Sequence, residues 1–300
     1  MILSFADDKQ IRGDLIRSAV IRSDLAPIPL TLEAEIGVDS DDLAKRLAEG
    51  GVILAGGNGD AMRIIQSREA VGNSVQGDKV GVSRKIVAIL DACHQASFVR
   101  GRAIVKEKTT IAGIYKVAGA NIKAVEQDIV VPRFCCFVGD TPTFRIAQVL
   151  QEEGGVVRWK NGKMQFMRLT ELIRQEPVIT LSPGQTESIE SGFLERHSVP
   201  SFFSTDQNGE TIMGNNEKPR AARFSPFKTP QQLRNMTRSI VHRTTSRLPI
   251  SWHVAAGDIV ECDDGQKLVV ITAAHAYKSK TDSGGAQNIY TRLWCGSIEG

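Results

Sequence analysis

Few residues in this chain could carry chemistry, and they are scattered. The five histidines are His94, His197, His242, His253 and His275. No two stand at the i, i+4 helical spacing beside an acid that a zinc peptidase requires. His253, His275, Cys262 and Cys295 share the last fifty residues, where adjacent strands bring such side chains together by chance, and no metal is expected. The five cysteines, Cys93, Cys135, Cys136, Cys262 and Cys295, are odd in number and include no Cys-x-x-Cys. That argues against a disulfide framework and for small core hydrophobes. Cys135 and Cys136 are adjacent and would point to opposite faces of a strand. Ser225-Pro226-Phe227-Lys228 has the spacing of a serine acyltransferase motif. That motif needs its serine at a helix start, with lysine one turn on, and the prolines at 226 and 230 break this geometry. Glu152 and Glu153 are helix neighbours that diverge by about 100°. The glycine-rich stretch 56–60 lacks the lysine and Ser/Thr of a phosphate loop and reads as a turn. Arg12-Gly13-Asp14 also reads as a turn. No catalytic residue, cofactor or metal is expected, and the chain is not read as an enzyme.

One charged feature stands out. Lys218, Arg220, Arg223, Lys228, Arg234, Arg238, Arg243 and Arg247 fall in thirty residues, and no acid occurs from 218 until Asp258. Thr229-Pro230 predicts a helix start, and Leu233, Met236 and Ile240 continue the apolar spacing, so the helix is expected to reach about residue 246. Several arginines then oppose its apolar stripe. Such a face can grip phosphates, meet an acidic partner surface, or simply be solvated. The candidate interface residues are Arg234, Arg238, Arg243 and Arg247.

The elements that would position these residues are mostly strands. At 300 residues the chain is long enough for two modest domains. Its 41% hydrophobic and 24% charged content is ordinary for a globular protein, and a net charge of +3 demands no nucleic acid. No apolar run approaches the roughly 20 residues that cross a bilayer, so no membrane partner is expected. The opening residues have no basic lead, so no signal peptide is expected and assembly in the cytoplasm is.

The most legible element lies at 138–159. Thr141 or Asp140 can cap a helix, and Pro142 suits its first position. Ile146, Ala147, Val149 and Leu150 share one face, and Gly154 is a left-handed stop. Val156, Val157 and Trp159 lead into Asn161-Gly162, a two-residue hairpin turn, and 164–167 return. Before it, the arginines at 12, 17 and 22 recur every five residues, which predicts a bulge. Residues 30–38 alternate as a half-buried strand, and Ser40 starts a short acidic helix. Strands are expected at 62–65, 85–90, 103–106, 111–117 and 127–131, with turns at Gly72-Asn73, Gly77-Asp78, Gly101 and 119–121; 86–93 could instead form a helix carrying His94. Residues 169–173 form a further helical turn. Later strands are expected at 178–181, in a hairpin around Asn208-Gly209, at 249–255 with Trp252, at 258–261 and 267–274 joined by 263–266, and at 288–295 beyond Ser283-Gly284-Gly285.

Two passages carry a resemblance. Phe137-x-Gly139-Asp140-Thr141-Pro142-Thr143-Phe144, then a helix, Gly154-Gly155 and a strand, resembles the middle of central hub proteins of bacteriophage tails. The closing run from Gly257-Asp258-Ile259-Val260 through His275 to 288–293 resembles their final barrel. These proteins belong with the late-control-protein-D type and with the hub part of type VI secretion spike proteins. The resemblance implies a mainly β fold with a few short helices. Two tube-like β-barrels, 1–137 and 178–300, would flank a small α/β connector at 138–177, with the basic helix inserted in the second barrel. It implies a structural role: a homotrimeric ring in the virion that adapts a six-fold tail tube to a three-fold spike. The implied partners are further copies of the chain, a tail tube or distal tail protein and a spike or tip protein, with tape measure and baseplate wedge proteins as further candidates. Two alternatives remain. One is a nucleic-acid-binding β-barrel using 218–247. The other is a tail-associated cell-wall hydrolase, which would depend on His275 or Glu153.

Overall fold

The computed structural model describes residues 2–7, 9–76, 79–182, 186–188, 200–215, 221–279 and 287–299. Strand β1 (Leu3–Phe5) is followed by β2 (Ile16–Asp24) and β3 (Leu30–Gly37). The expected irregularity in β2 is a register shift between Ile16 and Ser18. Helix α1 (Asp41–Arg46) starts where Ser40 accepts a bond from the Leu43 amide, and Leu43 and Leu47 are buried beneath it. Strands β4 (Val52–Ala55) and β5 (Asp60–Gln76) meet at the 56–59 turn, where Gly56 and Gly59 have positive φ. Strand β6 (Lys79–Leu90) runs into a 3-10 helix, Asp91–Ser97, so the segment that could have been a helix is strand as far as Leu90. Gly72-Asn73 is not a turn but lies within β5, where pairing with β6 absorbs a shift between Val71 and Val75. The turn read at Gly77-Asp78 lies outside the described residues.

Strand β7 (Ile104–Thr110) leads into α2 (Ile111–Val117), which corrects the strand expected there. Thr110 caps the helix through the Gly113 amide. Ile111, Ile114, Tyr115 and Ala118 are buried at i, i+3, i+4 and i+7, a helical period that overrides the β-branched composition. Strands β8 (Val125–Gln127) and β9 (Val130–Cys136) replace the single strand expected at 127–131. Between them, Asp128 accepts from the amides of Ala112 and Ile129.

Helix α3 (Pro142–Glu153) has the expected ends: Thr141 at the cap, Pro142 at its first position, and Gly154 in the left-handed region at φ 60°, ψ 38°. Strands β10 (Gly155–Lys160) and β11 (Lys163–Arg168) form the predicted hairpin, with Asn161 at φ 52° and Gly162 at φ 72°. After α4 (Leu169–Leu172) come β12 (Pro177–Leu181), β13 (Thr186–Ser188), the hairpin of β14 (Ser201–Thr205) and β15 (Thr211–Met213), and β16 (Ala222–Phe224). Helix α5 (Pro230–Thr237) has the capping box of Thr229 and Gln232 but stops eight or nine residues before the expected end. Ser239 to Leu248 is strand β17, because its run of Ile, Val and Thr pairs along β20. Strand β18 (Ile259–Cys262) and β19 (Lys267–Lys278) form the expected hairpin, and β20 (Asn288–Glu299) ends the fold. Residues 249–255 are a turn rather than a strand. The loop read at 283–285 lies outside the described residues.

The protein is mainly β with a few short helices. One sheet runs β1-β4-β5-β6-β3-β2-β19-β20-β17-β13, with β18 on β19 and β12 beside β18. The β2–β19 ladder, Ser18–Lys278 to Asp24–Thr272, joins early and late strands of the chain in that sheet. Three small sheets, β10-β11-β8, β15-β14-β16 and β7-β9, lie off it. The largest apolar cluster combines early strands with α2, α3, β10 and β11; Tyr115 stacks on Phe166 at 5.5 Å and donates to the Pro27 carbonyl at 2.6 Å. A second cluster fills the late strands, and a third, of Met167, Leu169, Leu172, Ile259 and Val269, lies where the α3–α4 segment meets them.

Candidate functional site

The arginine run is not one helical face. Arg234 lies on α5 and bonds Gln231; Arg238 is the cap residue at the end of α5. Arg243 and Arg247 are on β17. Arg243 bonds Ser297 and pairs with Glu299, while Arg247 bonds Asn288 and lies over the Tyr290 ring at 4.1 Å. Lys228 is bound to Glu152 at 2.6 Å. Lys218 and Arg220 lie outside the described residues.

The motifs with catalytic spacing have structural uses. Ser225 to Lys228 is a turn with Phe227 at φ 59°, and the Lys228–Glu152 pair draws the lysine away from the serine. Glu153 pairs with Arg168 at 3.1 Å. Arg12 bonds both Asp14 and Asp39. Cys93, Cys136 and Cys295 are buried, and no three His, Cys, Asp or Glu side chains among the described residues converge on one point. His94 bonds the Asp91 carbonyl and His242 the Thr244 carbonyl; His197 lies outside the described residues.

His253 and His275 meet in a small cleft of about 70 Å³, with Asp60, Trp159, Lys160 and Trp252. His275 and Thr291 are direct cross-strand partners, and their side chains bond at 2.9 Å. Trp252 stacks on the imidazole at 4.8 Å. Burial pushes the His275 imidazole down to about 4, so it is neutral at pH 7. Asp60 accepts from Trp159 Nε1 at 2.9 Å, and burial raises its carboxyl above the ordinary value. The cleft is a packed junction rather than an acid–base pair.

The most strongly built polar site was not singled out from the sequence. Asp258 is 1% exposed. Its Oδ1 accepts from Lys160 Nζ at 2.5 Å and Arg158 Nη1 at 3.2 Å, and its Oδ2 accepts from the Ala255 amide at 3.0 Å. Arg158, itself buried, also donates to the Gly257 carbonyl at 2.9 Å and to Gln165, which in turn donates to Glu126 at 2.6 Å. Burial pulls the Arg158 guanidinium below its ordinary value, opposed by the charges of Asp258 and Glu126, and arginine remains a cation. Gly257 has φ 84°, and a Cβ there would lie 2.6 Å from Arg158 Cδ. The signal in the sequence was a charge inside the apolar run 156–159.

A surface was also missed. Arg100 exchanges backbone bonds with Gly139 and Asp140, which brings the segment holding Phe98 and Val99 to the turn that follows Phe137 and Val138 and leads into α3, whose first turn carries Phe144. All five side chains are more than half exposed. Exposed aromatic and aliphatic groups gathered near one helix start make a candidate interaction surface.

No family model and no curated protein matches the sequence. Solved structures do. A tail protein from Neisseria meningitidis MC58 superposes with a TM-score of 0.68 at 13% identity, over 99% of this chain and 95% of that one. The 43 kDa tail protein of prophage MuSo2 from Shewanella oneidensis gives 0.67 at 11%, over 99% and 97%. The c3393 protein of E. coli, a type VI secretion component described as similar to bacteriophage T4 tail proteins gp27 and gp5, gives 0.53 at 8%, over 93% and 73%. The fold is that of phage tail proteins. The resemblance carried by 137–155 and 257–293 therefore holds across almost the whole chain.

Two measurements check the site. Asp258→Asn leaves the buried Arg158 and the partly buried Lys160 without their shared counter-charge, so urea denaturation is expected to show a loss of about 3 kcal/mol. Gly257→Ala is expected to be destabilising too, since it combines the left-handed φ with the clash on Arg158. The second concerns acid. An unfolded His275 takes up a proton below its ordinary 6.5, whereas the folded one resists protonation until about 4. Protons therefore favour the unfolded chain across that window. Between pH 7 and pH 4 the protein is expected to lose about 3 kcal/mol more than His275→Gln does. Parallel pH profiles would contradict this.

Proposed function

We propose that this chain is the structural hub of a bacteriophage tail or baseplate. Three copies close into a ring that presents a six-fold-like face to the tail tube and a three-fold face to the spike. The observation that carries this reading is the fold match over nearly the full length of two phage tail proteins. In this reading the tube-like barrels are 1–137 and 178–300, with 138–177 between them. The β2–β19 ladder supports that arrangement, because it joins strands of both regions edge to edge and leaves fewer open sheet edges.

The role is structural rather than enzymatic. His275 is a buried neutral group and Glu153 is held by Arg168, so the two residues a hydrolase would depend on have packing duties. The exposed group around Phe137 and Phe144, and the candidate arginines 234, 238, 243 and 247, are the surfaces offered to neighbours. Those neighbours are further copies, a tube or distal tail protein, and a spike or tip protein, with tape measure and wedge proteins next. The place of action is the virion tail, after assembly in the host cytoplasm.

The test is the mass of the particle in solution, measured alone and after co-expression with the spike protein from the same genome. Three chains per particle are expected in at least the second case. A chain that stays a monomer in both, at micromolar concentration, would contradict the ring.

A further inference from the structure

A groove of about 360 Å³ opens where the three parts of the chain meet. Its walls are Leu25 and Pro27 from the β2–β3 turn, Leu150 and Val156 from either side of the α3 stop, and Ile240 and Ile271 from the late strands. Its floor runs past Gly154 and Gly155. The volume is within the range of small-molecule sites, which are apolar with a few placed polar groups.

Arg238 supplies the single charge among the lining residues. Its backbone turns out of α5 into β17, and its guanidinium makes no hydrogen bond or ion pair with a described residue. Gln151 and Ser239 sit beside it on the lining. An apolar trough with one uncompensated cation and two hydrogen-bonding neighbours fits a monoanion with an apolar tail. A carboxylate suits it best, since guanidinium and carboxylate match in a planar, two-bond geometry. A zwitterion or a dianion would carry charge into walls that offer it no partner.

We propose that this groove binds an apolar-tailed monocarboxylate of the medium-chain fatty acid class, with the carboxylate on Arg238 and the tail against Leu150, Val156 and Ile271. The occupant would touch the early turn, the α3–β10 junction and the late strands together, so binding would clamp them. This site shares Arg238 with the candidate interface but not its test, since the ring reading stands or falls on the particle's mass.

Calorimetry with decanoate, and with decanol as the uncharged probe, tests the assignment on the full chain. Decanoate is expected to bind more tightly than decanol. Arg238→Gln is expected to weaken decanoate about tenfold, the effect of losing a charge-assisted contact, while leaving decanol unchanged. Ala147→Trp fills the mouth of the groove from an exposed position of α3 and is expected to abolish binding of both. Circular dichroism confirms that each variant is folded. The proposal is overturned by equal binding of the two probes, by decanoate binding that survives Ala147→Trp, or by no binding up to the solubility limit. It is also overturned if Ala147→Trp changes the number of chains per particle while decanoate leaves it unmoved, because the groove is then a contact between copies.

Discussion

The carboxylate of Asp258 is the constraint around which the three parts of this chain are fitted. A buried, charged carboxylate is tolerated only where cations and donors replace its water. Both cations come from β10, about a hundred residues earlier in the chain: Arg158 and Lys160. Folding the last hairpin therefore requires the β10–β11 hairpin to be in place. The requirement extends outward. Gln165 on β11 holds Arg158 and reaches Glu126, and Gln175 donates to the same Gly257 carbonyl that Arg158 uses. Gly257 has to be glycine because its φ is positive and because the guanidinium stem occupies the space of a side chain.

Around this polar point the apolar groups close the joint. Met167, Leu169 and Leu172 pack on Ile259, the residue after Asp258, and on its cross-strand partner Val269. On the other side, Trp159 bonds Asp60 and so ties the β10–β11 hairpin to the start of β5. Lys228 and Asn235 reach Glu152 on α3, which fixes α5 to the helix stop. The stretch from α3 to α4 is thus a wedge, held by ion pairs and hydrogen bonds on three sides. A rigid wedge of this kind suits a protein whose proposed work is to keep its early and late strands, joined through the β2–β19 ladder, in fixed relation while other proteins press on both.

Much of this is legible in the sequence. The α3 helix was marked by Pro142 and Gly154, and the hairpin by Asn161-Gly162, because these residues act through their own backbone preferences and need no tertiary help. The 263–266 hairpin and the alternation of 288–295 were clear for the same reason. The failures share a cause. Residues 111–117 are rich in Ile, Val and Tyr, and only burial against Phe166 and Pro27 shows that their period is helical. Residues 239–248 continued an apolar spacing from α5, yet a long partner strand, β20, claimed them. Two of the candidate arginines moved from a helix to a strand with that change. Asp258 and Arg158 could not be paired from sequence, because nothing local at either position reports on a residue a hundred places away.

The claim that most needs testing is that the wedge and the late sheet form one cooperative unit. Native-state hydrogen exchange reads this directly through the amides of β10, β11, β18 and β19. If the Asp258 network couples them, all four strands exchange at one opening free energy, equal to that of global unfolding, and Asp258→Asn lowers it for all of them together. Exchange of β10 and β11 at a markedly lower free energy than β18 and β19 would show that the hairpin opens by itself and that the late sheet does not depend on it.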